Sequence, residues 1–182
     1  MNPQNNDLER ARDWLREKMQ KRIAAPCPCC RRLVSVSRRR PHASQIEVLV
    51  AIFRETLKRN PALERRPTWL HVENEILRAG LAESRGRDWS VLQHFRLIAP
   101  KAKQRDPKGE LAGIWSITRA GIEAVQNPRR PLILAWVDTW NGQAWAKSPD
   151  RVSLVQALGR SFNFEEEILA PNRPPICFGE VA

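Results

Sequence analysis

Residues 43–59 constrain this chain more than any other stretch. Ile46, Leu49, Val50, Phe53 and Leu57 recur at the three- and four-residue spacing of one helical face. Val48, Ala51 and Ile52 widen that face well beyond a stripe. A helix this apolar needs cover on several sides, so it is expected at the centre of its domain. Ser44-Gln-Ile-Glu47 has capping-box spacing and Asn60-Pro61 ends the run. The spacing therefore predicts a helix over 43–59.

The residues that follow predict an α+β arrangement around it. Thr68–Val72 reads as a short strand, and Glu73–Ala79 as a short helix closed by Gly80. Trp89, Leu92, Phe95 and Leu97 predict a second short helix over 88–96, with Asp88 as N-cap. Ile98 and Ile114–Ile117 read as two strands around a hairpin tip at 100–113, and Thr118 caps a last helix, Arg119–Gln126. Helix, strand, helix, helix, strand, strand, helix is the order of a winged helix-turn-helix. The expected organisation is an N-terminal helix with a cysteine knuckle in 1–42, the winged helix in 43–130, and a small hairpin-plus-helix segment in 131–182. In the first part, 7–22 carries Leu8, Ala11, Leu15 and Met19 on one helical side, and Leu33–Ser37 reads as a short strand. In the last, 132–137 and Gln143–Lys147 read as strands joined at Asn141-Gly142, Ser153–Gly159 as a capped helix, and the Pro-rich tail as extended.

Charge narrows the partner. The net charge is +11, made of +7 in residues 1–42, +6 in 43–130 and −2 in 131–182. A polyanion is the default counterpart for such an imbalance, and it belongs to the first 130 residues. Arginine far outnumbers lysine, which suits bidentate phosphate and guanine contacts, although GC-rich coding produces the same bias. In a winged helix the second short helix enters the major groove and the wing follows the backbone. On that geometry Arg85, Arg87, Ser90, Gln93, His94 and Arg96 face base edges or phosphates, and Lys101, Lys103, Arg105 and Lys108 contact phosphates from the wing. The expected partner is double-stranded DNA. A different class of reading is a protein-binding inhibitor or adaptor whose basic face meets an acidic host protein; homodimerisation through the last 52 residues is also open.

Other classes find less support in the residues. No run is long enough to span a membrane, and Met1–Gln20 has no apolar core of a secretory signal, so a cytoplasmic location is expected. Cys27-Pro-Cys-Cys30 contains a Cys-x-x-Cys knuckle, which offers zinc two thiolates, Cys27 and Cys30, where a closed site needs four ligands. Cys29, His42 and Cys177 are the reserves. Reduced thiols beside a turn are the plainer alternative. His71, within the apolar run Trp69–Val72, reads as a hydrogen-bonded side chain, and Glu165, Glu166 and Glu167 as a solvated face. No acid–base or nucleophile constellation stands out, so no enzymatic activity is expected.

Four segments carry a family resemblance: Cys27-Pro-Cys-Cys30 with Leu33-Val34, Asp88–Ile98, Gly113–Gly121 and Leu154–Phe164. Together, over roughly 26–169, they resemble phage and prophage proteins that join an N-terminal Cys-Pro-x-Cys-Gly knuckle to a winged helix and a small C-terminal segment. The resemblance implies a winged fold and suggests regulation of phage genes. The chain departs from the pattern at Arg31, where such knuckles carry glycine for the left-handed turn beside the metal.

Overall fold

The structure is a computed structural model; it describes residues 3–63, 66–83, 88–101, 113–140 and 143–169. The chain is mixed α and β with small antiparallel sheets, and it divides into two compact units, each discontinuous in sequence. The first combines residues 1–40 with 136–148, and the second 41–135 with 149–182. Among the described residues no helix is long and apolar enough to cross a membrane.

In the first unit, helix α1 (Pro3–Gln20) buries Leu15 and Met19 from the expected stripe, while Leu8 stays exposed. The next residues form three very short strands where the sequence predicts one: β1 (Ala25–Pro26), β2 (Leu33–Val34) and β3 (Ser37–Arg39). β1 pairs with β2 across the cysteine turn. β3 pairs instead with a strand a hundred residues away, β8 (Val137–Trp140), which in turn pairs with β9 (Gln143–Lys147). Of the expected hairpin, 132–137 with 143–147, the second strand is present, while the first is shifted to 137–140, and the other edge of that strand belongs to the N-terminal segment. Asp138 on β8 is only 3% exposed; its carboxylate accepts from Arg22 at 2.7 Å and Arg38 at 2.9 Å. Arg38 also lies 3.6 Å from the Trp136 ring centroid.

The second unit is built around α2 (Ala43–Arg59), at the predicted bounds. Ile46, Leu49, Ile52 and Phe53 are fully buried, each worth about 1.5–3 kcal/mol of apolar transfer. Its cap differs from the expectation. His42 is the N-cap and its backbone N–H donates to Gln45 Oε1 at 3.2 Å, two residues upstream of the expected pair Ser44 and Glu47. Glu47 is left for another role because the capping box uses His42 and Gln45 instead of Ser44 and Glu47. It accepts from Arg160 at 2.7 Å, and Arg160 also donates to Glu167 at 2.9 Å. That bond takes Glu167 out of the solvated face expected for 165–167, and the two carboxylates hold the guanidinium pKa above its ordinary value, with the Glu167 hydrogen bond the largest cause.

Around α2 lie β4 (Leu70–His71), a π-helical turn at Val72–Leu77, a 3-10 helix at Asp88–Gln93, β5 (Ile98–Pro100), β6 (Ile114–Ile117) and α3 (Arg119–Gln126). The three strands form one antiparallel sheet in the order β4-β6-β5. Thr118 caps α3 as predicted, accepting from Gly121 N–H at 3.1 Å. A Cβ on Gly121 would lie 2.3 Å from the Leu97 carbonyl, so only glycine lets α3 approach β5 this closely. The expected strand 132–137 is split. β7 (Ile133–Leu134) pairs with β10 (Arg151–Val152), and the chain then leaves this unit at residue 136. Helix α4 (Leu154–Leu158) begins at Ser153 and ends at Gly159, with its own capping box. The π-helical turn at Glu165–Leu169 follows Phe164, whose ring meets Phe53 edge-on at 5.9 Å.

Candidate nucleic-acid interface

Both short helices predicted between β4 and β5 are present, and neither is an α-helix. The first is the π-helical turn at Val72–Leu77, closed by Gly80 at φ +68°. The second, expected over 88–96, is a 3-10 helix that stops at Gln93. Its end has a specific cause. Arg96 N–H donates to the Gln93 carbonyl at 3.0 Å and Leu97 N–H to that of Leu92 at 3.1 Å, with Arg96 at φ +62°. That is a Schellman closure, in which arginine occupies the left-handed position usually given to glycine. It turns the chain so that Phe95 and Leu97 can both be buried. The Arg96 carbonyl then accepts from Thr118 Oγ1 at 2.6 Å, tying the turn to the start of α3.

Three residues per turn place Ser90 and Gln93 one above the other. Both are half-buried, and both line a cleft of about 520 Å³. Trp89 and Trp115 line it too, in edge-to-face contact with centroids 5.2 Å apart. The π-helical turn adds Glu73 and Asn74, and Arg78 follows just after it. His71 also lines it, half-buried as the sequence suggests. Its Nδ1 accepts from Asn74 N–H at 3.4 Å, which leaves Nε2 to carry the proton in the neutral ring. Gly113, at φ +96°, closes the list of cleft residues; a Cβ there would lie 3.3 Å from the His71 ring.

Of the residues expected to meet nucleic acid, the cleft brings together Ser90 and Gln93. Arg96 is exposed on the turn that follows, and His94 is half-buried, with its backbone N–H donating to the Val91 carbonyl at 2.9 Å. Lys101 sits at the end of β5 with its ammonium 6.0 Å from the centre of the Trp69 ring. Arg85, Arg87, Lys103, Arg105 and Lys108 lie outside the described residues, as does most of the expected wing. In sequence, 84–87 runs directly into Asp88 and 102–112 directly into the cleft residue Gly113. The sequence reading missed His71, Asn74, Arg78 and Trp115 as members of one site. Their shared signal is only that they flank the short elements; no spacing brings β4 beside β6 before the sheet is built.

The cysteine turn lies in the first unit. Arg31 N–H donates to the Cys27 carbonyl and Cys27 N–H to that of Arg32, each at 2.8 Å. Arg31 takes φ +58°, the conformation for which glycine was expected, so the substitution does not change the sign of the turn. The backbone N–H groups of Cys30 and then Cys29 point at the Cys27 sulfur and hold its thiol pKa below the ordinary value; burial pushes that of Cys29 up. All three thiols are free. No group of three or more Cys, His, Asp or Glu side chains able to hold a metal ion occurs among the described residues, so Cys27 and Cys30 have no third and fourth ligand there. Cys177 lies outside them, and His42 serves as the N-cap of α2.

Comparison with protein-family models, with curated proteins and with solved structures finds no match to this chain, so the reading of the site rests on its own chemistry.

Proposed function

We propose that the second unit is a winged-helix module that binds duplex DNA, in a regulator of phage type acting in the cytoplasm of a bacterial host. One observation carries the reading: the strand after α2 pairs with the last of the three strands, giving the order β4-β6-β5, with two short helical elements between β4 and β5. A winged helix requires that order. On this reading Gln93, Ser90 and Arg96 meet base edges or phosphates, and Arg85, Arg87, Lys101, Lys103, Arg105 and Lys108 neutralise the backbone. The uneven charge, +13 over the first 130 residues, supports a polyanionic partner.

A shift assay on duplex DNA across a salt series tests it. Affinity is expected to fall steeply with salt. Replacing Lys101, Lys103 and Arg105 together by Ala weakens binding to every sequence and flattens the slope, whereas Gln93→Ala mainly relaxes sequence preference. Absence of duplex binding at about 50 mM salt overturns the reading.

A further inference from the structure

The cleft beside the 3-10 helix is built differently from a surface that only follows a duplex. Two tryptophans and a set of neutral amide and hydroxyl groups converge on it, where phosphate contact alone would need cations. Trp115 is half-buried and central in the sheet, between β4 and β5, so its indole is held at a fixed place. Trp89 meets it edge-on, is 2% exposed, and its Nε1–H has no hydrogen-bond acceptor among the described residues. A buried donor left unpaired beside a cleft is a standing cost, and folded proteins keep few of them. Gln93 and Asn74 each offer one acceptor and two donors, and Ser90 one hydroxyl, around the same cleft as the half-buried Trp115 indole. Glu73 supplies an acceptor for an exocyclic amine, and Arg78 a cation at the rim for the attached phosphate.

One accessible indole with amide groups and one cation around it matches a nucleobase on its sugar-phosphate, and the volume fits one such unit. A base inside a duplex can turn only its groove edge toward Ser90 and Gln93 and cannot enter the cleft, because both its faces and its pairing edge are taken. We infer that the cleft takes a single unpaired nucleobase, so that the preferred partner is a duplex carrying an unpaired nucleotide, as an overhang, junction or extruded base. This inference rests on the nucleic-acid reading above. It adds that the site discriminates paired from unpaired DNA.

Fluorescence anisotropy with the full chain and labelled DNA separates the two claims. The probes are a blunt duplex, the same duplex with a three-nucleotide 3′ or 5′ overhang, and the overhang duplex with abasic sugars in place of the three bases. The overhang of one polarity is expected to bind about tenfold tighter than the blunt end, and the abasic overhang to lose that gain. Trp115→Phe keeps most of the gain and Trp115→Ala abolishes it while binding to the blunt duplex is unchanged. Because Trp115 also packs in the sheet, Asn74→Ala provides a second readout: its side chain is exposed, so the fold survives, and the overhang gain drops at least threefold. Free nucleoside monophosphates that compete as well as the overhang strand support the base site and identify the free nucleotide as its source. An abasic overhang that binds as tightly as the intact one overturns the inference, and leaves the duplex reading standing if the blunt duplex still binds. Failure of every probe overturns both.

Discussion

Arginine does two unlike jobs at single positions in this protein. At Arg22, Arg31 and Arg96 the backbone is left-handed, at φ between +56° and +62°, which costs a residue with a Cβ about 1 kcal/mol relative to glycine. Arg22 has a visible return, since its guanidinium reaches the buried carboxylate of Asp138. Among the described residues Arg96 has no such contact; its side chain is exposed beside the 3-10 helix. A strained residue whose side chain does nothing for the fold is a good candidate for a role in binding. Arg96→Gly is therefore expected to raise stability by about 0.5–1 kcal/mol in urea unfolding while weakening duplex DNA binding. A variant that is destabilised, or that binds unchanged, removes Arg96 from the interface. None of this was legible from composition, because an arginine in a turn looks the same whether its φ is negative or positive.

At the scale of elements, α2, α3 and α4 were legible because each has a sharp stop and a face at helical spacing. The two short elements around the cleft were legible as positions and not as types. Four to six residues hold too few periods to separate α from 3-10 or π winding, and the closure at each end decides it. The π-helical turn shows what holds such an element. Glu75 Oε1 accepts from His71 N–H at 2.7 Å, and its carboxylate also pairs with Arg59 at the end of α2. Burial alone would raise the Glu75 pKa, but the His71 N–H and the Arg59 charge outweigh it and hold the carboxyl below its ordinary range. A folded pKa below the unfolded one means stability that is present above the ordinary carboxylate range and lost as pH falls through the depressed value. Wild type should thus exceed Glu75→Gln in stability at pH 7, and the gap should close as the pH drops below about 4. Urea midpoints measured for both proteins at several pH values check this; a gap independent of pH assigns the Glu75 contribution to shape and not to charge.

For the whole molecule, a net charge of +11 is the dominant fact outside the core. Such a surface repels itself, and salt screens that repulsion over about 8–10 Å. The ion pairs that matter most to the fold are less exposed to screening: Asp138 is 3% exposed, and Arg160 sits between Glu47 and Glu167 with less than a third of its side chain accessible. The thermal midpoint of the protein without DNA is expected to rise as salt increases from about 20 to 300 mM; a fall would mean that screened attractions, and not repulsion, set its stability. By itself the sequence determined the central helix, the caps of α3 and α4, the pairing of β5 with β6, the strand β9 and the uneven charge, because each depends on residues close together in the chain. Only the tertiary structure decided that β3 joins a strand from residues 137–140, and that His71, Asn74, Gln93 and Trp115 share one cleft. Those contacts join segments about 20 to 100 positions apart, and nothing in local spacing encodes which distant edge a two- or three-residue strand will find.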